Sequence, residues 1–379
     1  MRTLHRLLPL LLAALAPAGA VRAAVLPEDR ADVLYHRYDG GGVTIDGPSV
    51  LVRKKFAERY SVSANYYVDM VSSASIDVVT TASPYRERRT QTSVGADVLN
   101  GRTQYSIALS NSDENDYTAR TAGFDVSQDL FGDLTRVSFG YSHGWDEVRK
   151  SGDEAFSEPV DRATWRVGLS QILTPTLMMG LNYELVSDEG FLNNPYRSVR
   201  YLDPGSASGF AFQPEIYPAT RTSNAFSVDA RYFLPWRAAV HGHYRRFGDT
   251  WGVAADTVKA GYTHPVGRRW ILDLTYRWYG QSGADFYSDL FPRRDAQNFM
   301  GRDKELSTFS SHMVGVGATW ELPPFGTQFL KRSTVSLFYD RFRFDYDDFR
   351  DITAGGTPGE EPLYGFDADV LRLFVSGWF

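Results

Sequence analysis

From Tyr60 onward the chain alternates. Tyr60, Val62, Ala64, Tyr66, Val68 and Met70 occupy one phase of a period-two pattern, and Ser61, Ser63, Asn65, Tyr67 and Asp69 the other. Side chains along a strand point alternately to its two faces, so this run reads as a strand with one apolar and one polar side. The pattern recurs at Gln91–Leu99, Thr103–Ser110, Thr121–Ser127, Thr135–Trp145, Ala163–Leu173 and Leu177–Leu185. It continues at Asn224–Phe233, Ala238–Arg245, Thr257–His264, Trp270–Tyr279, Leu306–Trp320 and Ser333–Tyr346. The closing run sets Leu371, Leu373, Val375, Gly377 and Phe379 against Arg372, Phe374, Ser376 and Trp378. Two earlier runs are less regular. Arg30–Asp39 alternates poorly, and Val43–Lys55 contains Gly47-Pro48, which predicts a bulge or a weakly paired position.

From the second strand on, the connections sort by length. Phe56–Arg59, Asn100-Gly101, Phe131–Asp133, Thr174–Thr176, Pro235–Arg237, Val266–Arg268 and Pro323–Gly326 are short, and Asn100-Gly101 reads as a type I′ hairpin. Between them lie long polar segments: Val71–Arg89, Asn111–Ala119, Glu147–Arg162, Ser187–Ser223, Arg246–Ala255, Gly280–Glu305 and Asp347–Gly365. Short turns on one rim and long loops on the other are the habit of outer-membrane barrels. Termini on the same side require an even number of strands, and including Arg30–Asp39 brings the count to sixteen. The expected fold is all-β: a transmembrane up-and-down antiparallel β-barrel of about sixteen strands, with short periplasmic turns and long extracellular loops. After Asp340 two arginines enter the apolar register, which predicts either a bulge or the strand leaving the membrane.

The chain's beginning and end agree with export to such a membrane. Arg2, His5 and Arg6 precede the apolar run Leu7–Ala16 and the small residues up to Ala23, the three parts of a cleaved signal peptide. Residues 1–23 are therefore expected to be removed, with cutting after Ala20 or Ala23, leaving 24–379 as one barrel domain in the bacterial outer membrane. Later runs fall short of the roughly 18 apolar residues a spanning helix needs. The negative mean hydropathy is no objection, because barrel strands meet lipid only at every second residue. The aromatic carboxyl-terminal Phe379 resembles the terminal residue read by the barrel-assembly machinery, which makes that machinery and outer-membrane lipid the expected partners.

Composition narrows the chemistry. Loss of Arg2, Arg6 and Arg22 moves the formal net charge from −6 to −9, which speaks against nucleic acid. Without cysteine there is no thiol nucleophile, no Cys-ligated cluster and no disulfide. The sequence has no Gly-x-Ser-x-Gly elbow, phosphate-cradling loop or dinucleotide fingerprint, and Ser142 and His143 fall on opposite faces. No enzyme activity and no cofactor are expected. His241 and His243 share the polar phase of one strand, but two imidazoles without a third ligand do not make a metal site.

The apolar phase of the clean strands is nearly free of charge, whereas the polar phase carries both signs. Its cations are Arg136, Arg166, Arg231, Arg245, Lys259, Arg277 and Arg372. Its anions are Asp69, Asp97, Asp125, Glu184, Asp229, Asp273 and Asp340. Together with His241 and His243 these are the candidate lumen-lining residues. Two arrangements fit them: a water-filled passage for small polar solutes, as in general porins, or a lumen closed by charges that pair with one another. Val71–Arg89 carries Ile76, Val78 and Val79; it either folds inward as the candidate constriction loop, with Asp77 and Tyr85 at its narrowest point, or extends the neighbouring strands above the membrane. Ser187–Ser223, rich in aromatics from Phe191 to Tyr217, is a candidate lid or ligand platform, or a loop that packs on its neighbours.

Two segments go beyond barrel grammar. Tyr35–Lys54 (YHRYDGGGVTIDGPSVLVRK) and Ser63–Tyr85 (SANYYVDMVSSASIDVVTTASPY) resemble the domain of unknown function 3570 family of exported Gram-negative proteins. The resemblance implies an outer-membrane location and carries no assigned activity. It also implies a neighbourhood of thioredoxin-like and flavin-attaching proteins. That gives the alternative reading, an outer-membrane scaffold of an envelope redox system with a closed lumen.

Overall fold

The computed structural model describes residues 25–73, 85–323 and 329–379. The expected signal peptide and Asp77 lie outside these residues. The first strands are β1 (Arg30–Gly40), β2 (Val43–Phe56), β3 (Tyr60–Ser73), β4 (Tyr85–Asn100), β5 (Thr103–Asp113) and β6 (Tyr117–Leu130). There follow β7 (Thr135–Lys150), β8 (Asp153–Thr174), β9 (Leu177–Gly190), β10 (Ser198–Leu202), β11 (Phe210–Pro214) and β12 (Thr220–Phe233). The last are β13 (Ala239–Asp249), β14 (Ala254–Val266), β15 (Trp270–Gln281), β16 (Phe309–Glu321), β17 (Arg332–Arg350) and β18 (Leu363–Trp378).

All of these but β10 and β11 form one closed antiparallel barrel, so the expected sixteen strands are present among the described residues. β10 and β11 form a separate two-stranded hairpin between β9 and β12, with Tyr201 of β10 also bridged to Phe291. The poorly alternating β1 closes the cylinder, pairing with β18 from Arg30↔Trp378 to Gly40↔Ala368 and with β2 on its other side. Closure matters because an open edge would leave unpaired backbone groups in hydrocarbon.

The two phases point where the pattern puts them. Leu371, Leu373 and Val375 are 40%, 40% and 45% exposed on the outer wall, although they are apolar. Val62, Ile107, Phe139, Val167, Leu274 and Val316 are likewise exposed on other strands. An apolar surface facing outward all around a closed barrel is a surface made for lipid. No described helix is long and apolar enough to cross a membrane; the strands do so instead.

Several local expectations are refined. The β4–β5 turn is centred on Gly101-Arg102, one residue later than expected, with Asn100 paired to Thr103. Gly101 has φ +63° and Arg102 is not in the left-handed region, which is the II′ pattern rather than I′. At Gly47-Pro48 there is no bulge. Asp46↔Met70 and Ser49↔Tyr67 keep one register, and only the pairing lapses where proline has no N–H to give. A Cβ on Gly47 would fall 1.8 Å from the Val68 carbonyl oxygen, so the close approach requires glycine. β17 also stays in register past Asp340, and its irregularity comes only between Asp345 and Arg350. Arg341 therefore remains on the outer face, where it meets Asp367 (2.8 Å) and Asp369 (2.6 Å) of β18, as a strand leaving the membrane would allow.

Among the described residues, three of the long polar segments (111–119, 147–162 and 246–255) are mainly strand with a short turn. Glu147–Arg162 is the outer part of β7 and β8 joined by Ser151-Gly152, and β5 and β6 are joined by Glu114–Asp116. Glycine at 152, with φ +85°, makes the tighter connection possible. Polar residues there reflect strands continuing into water, not an absence of strand. Among the described residues, the long connections on that rim are 191–219, 282–308 and 351–362.

These three segments pack into a cap. Trp251, Val253, Ala284, Phe286 and Leu306 form one buried cluster, and Val199, Phe291 and Met300 another. At the centre Arg200 is fully buried, with Nη1 donating to Glu361 (2.5 Å) and Nη2 to Asp289 (2.9 Å). Arg302 binds the other oxygen of Asp289 (2.8 Å) and donates its backbone N–H to Glu215 (2.7 Å). The aromatics of the candidate lid are absorbed here, Tyr217 stacking edge-on against Trp251.

Candidate functional site: the lumen wall

The inward phase gives the lumen two different walls. On β17 and β18 it carries Phe338, Phe342, Phe344, Phe366 and Phe374, and these rings contact one another, Phe344 and Phe366 with centroids 4.6 Å apart. Arg372 donates to Asp340 (2.5 Å) and lies over the Phe338 ring. On β1 and β3, His36 Nε2 meets Asp69 (2.8 Å) while its ring stacks on Tyr67. Ser61, Asp69, Ser311, Asp340 and Ala368 are buried on this side. Large rings and matched charges fill the space, so this half of the lumen corresponds to the self-paired arrangement.

The wall from β6 to β14 is built differently. Its inward positions include Ser138, Gly140, Gly168, Ser170 and Gly180, which project little or nothing. Asp125, Arg136, Arg166, Asn182 and Arg231 point inward yet are exposed. Here lies a cavity of about 490 Å³ lined by Arg136, Ser138, Gly168, Ser170, Met178, Asn182, Asp229, Arg231, His241, His243 and Lys259, among others.

The predicted residues among those described can now be placed. Asp97 accepts from Ser106 (2.6 Å) and Gln104 (3.3 Å). Arg136 makes a two-pronged pair with Asp129 (2.6 and 2.9 Å). Glu184 accepts from Arg245 (3.3 Å), and Asp273 from Thr263 (2.6 Å). Asp229 gives one oxygen to His243 (2.7 Å) and the other to Asn182 (3.2 Å). Arg277 lies over the Tyr279 ring at 5.3 Å. Asp125 and Arg166 face each other across Gly140, where even a Cβ would collide with the Asp125 carboxylate. The His241 ring occupies the space a Gly261 side chain would fill, so the missing side chain is what makes room for it. Tyr85 heads β4, but its side chain lies outside the described residues. Phe379 stacks on Phe329 with Lys54 over its face.

Sequence reasoning missed Asp129 and His36, the partners of Arg136 and Asp69. Both sit on the inward phase of their strands, and that phase was the available signal. It also missed the carboxylate cluster Glu87, Glu114 and Asp116 at the outer rim, formed where β4 meets the β5–β6 turn. Burial raises the Glu87 and Glu114 carboxyls above their usual range, and the neighbouring acids add to it.

A closed cylinder, greasy outside and charged inside, defines a membrane-spanning β-barrel of the outer-membrane kind. The chain belongs to the family described as protein of unknown function (DUF3570), whose model matches residues 76–339. That match begins within the second resembling segment and excludes the first. No curated protein matches the chain. Among solved structures it is similar to a bacterial polysaccharide outer membrane secretin, with 6% identity and a TM-score of 0.49, covering 93% of this chain and 100% of that one. It is also similar to OmpT, an outer membrane protein of Vibrio cholerae (9% identity, TM-score 0.43, covering 94% and 100%). A Pseudomonas aeruginosa FadL homologue stands at 9% identity and a TM-score of 0.43, with 93% and 91% covered.

Proposed function

We propose that this protein is a porin-like channel of the bacterial outer membrane, passing small polar solutes along the open wall of its lumen without acting on them chemically. The observation that carries the reading is the state of Arg166 and Arg231. Both point inward, both are exposed, and neither side chain makes an ion pair among the described residues. A dry, filled interior would charge several kcal/mol for each such unpaired ion. Water beside them removes that cost, and a wall of glycine and serine leaves room for it. In this reading Phe379 is offered to the assembly machinery and plays no part in transport.

The test is single-channel recording from purified barrel in planar bilayers. Steady conductance steps in potassium chloride are expected. A barrel that inserts, resists denaturation by SDS without heating, and never conducts would overturn the reading and leave the closed scaffold in its place.

A further inference from the structure

The charges around the cavity do not balance locally. Its lining holds three permanent cations, Arg136, Arg231 and Lys259, and one carboxylate, Asp229. Arg136 is neutralised by Asp129, and Asp229 is occupied by His243 and Asn182. The side chains of Arg231 and Lys259 have no hydrogen-bond or ion-pair partner among the described residues. Asp273, the next carboxylate along the wall, is engaged by Thr263 and does not line the cavity.

The register sharpens the imbalance. Lys259 lies directly opposite Arg277 on β15, and Arg231 directly opposite His241 on β13. Like charges placed opposite each other across a strand pair are destabilising, and among the described residues no carboxylate forms an ion pair with Lys259 or Arg277. The hollow in front of the cations is made by Ser138, Gly168, Ser170 and Gly180, so a solute can approach to hydrogen-bonding distance. Across the lumen interior the contrast is plain: Arg372 and His36 have carboxylate partners, and Arg231 and Lys259 lack them.

We infer that Arg231 and Lys259 form an anion-binding subsite in the lumen, made for a small carboxylate-bearing solute. The fork of Arg231 suits the two oxygens of a carboxylate, and the point charge of Lys259 serves a second one. A bound dianion would supply the negative charge this wall lacks. The inference deepens the channel reading and rests on it, since the solute must reach the lumen from water.

The probe is succinate, and the variant is Arg231→Gln with Lys259→Gln. Isothermal titration of the detergent-solubilised full barrel reads the subsite whether or not the channel conducts. Succinate should bind the wild type and bind the double variant at least about tenfold more weakly, the loss of one charged hydrogen bond or more. In bilayers succinate should reduce the wild-type potassium chloride current, while the variant should conduct without that block. Unchanged affinity in a variant that keeps its heat-modifiable migration on SDS gels, or no succinate binding by the wild type, overturns the subsite. Binding without conductance would instead remove the channel reading and leave the subsite, so the two failures are separable.

Discussion

At the scale of single residues, one bit of information per position decides most of the outcome: whether a side chain meets hydrocarbon or water. Leu169 and Asn182 illustrate it, the first exposed on the lipid face and the second exposed within the lumen. Arginine at 169 is expected to cost about 2–4 kcal/mol, since the position sits well inside the apolar belt. Arginine at 182 should cost less than about 1 kcal/mol, because that side chain is exposed. Urea unfolding of each variant in phospholipid vesicles measures the difference, and equal losses would mean that inside and outside are misassigned. That bit was legible in the sequence. Which lumen charges would pair was not, because partners such as Arg136 and Asp129, or Arg372 and Asp340, lie on different strands and meet only once the register is fixed.

At the scale of elements, turn chemistry shows both where sequence reading succeeds and where it stops. The Phe56–Arg59 connection was recognisable as short, but nothing in Ala57-Glu58 announces its geometry. Both residues have positive φ, 50° and 54°, and Arg59 N–H donates to the Phe56 carbonyl at 3.2 Å, which makes a type I′ turn. Neither side chain favours that conformation, and each left-handed non-glycine residue costs roughly 1–2 kcal/mol. Replacing the pair by Asn-Gly is expected to raise the barrel's stability by about 1–2 kcal/mol, read as a higher urea midpoint in the same vesicles. The outer ends of the strands were the other illegible feature. Glu147–Arg162 loses its apolar phase where β7 and β8 rise above the membrane, so periodicity falls silent although the hydrogen-bonded ladder continues. Alternation reports lipid contact, and strand alone leaves no such mark once both faces are wet.

At the scale of the whole molecule, the barrel carries a cap of packed segments, and that packing is joined by buried charge. Arg200 is held between Glu361 and Asp289, and this joins the segments 191–219, 282–308 and 351–362. Burial alone would raise the Glu361 carboxyl, but the hydrogen bond from Arg200 and those from backbone N–H groups outweigh it and hold the pKa below its ordinary 4.5. A carboxylate with a depressed folded pKa stabilises fully above its unfolded value and loses that contribution as pH falls through the folded one. Glu215 acts in the opposite sense. Burial, with Asp303 nearby, raises its carboxyl, so its share of cap stability grows as pH falls toward 4.5. Amide protection in 282–308, measured by hydrogen exchange corrected for intrinsic rate, should therefore hold or rise slightly on mild acidification and then fall below pH 4.5. Glu361→Gln should remove that acid limb and weaken the cap at neutral pH by about 3–5 kcal/mol, because Arg200 remains buried with half its counter-charge gone. If channel conductance rises together with the lost protection, the cap restricts the outer mouth. If the barrel conducts and its conductance is unchanged, the cap does not restrict the outer mouth.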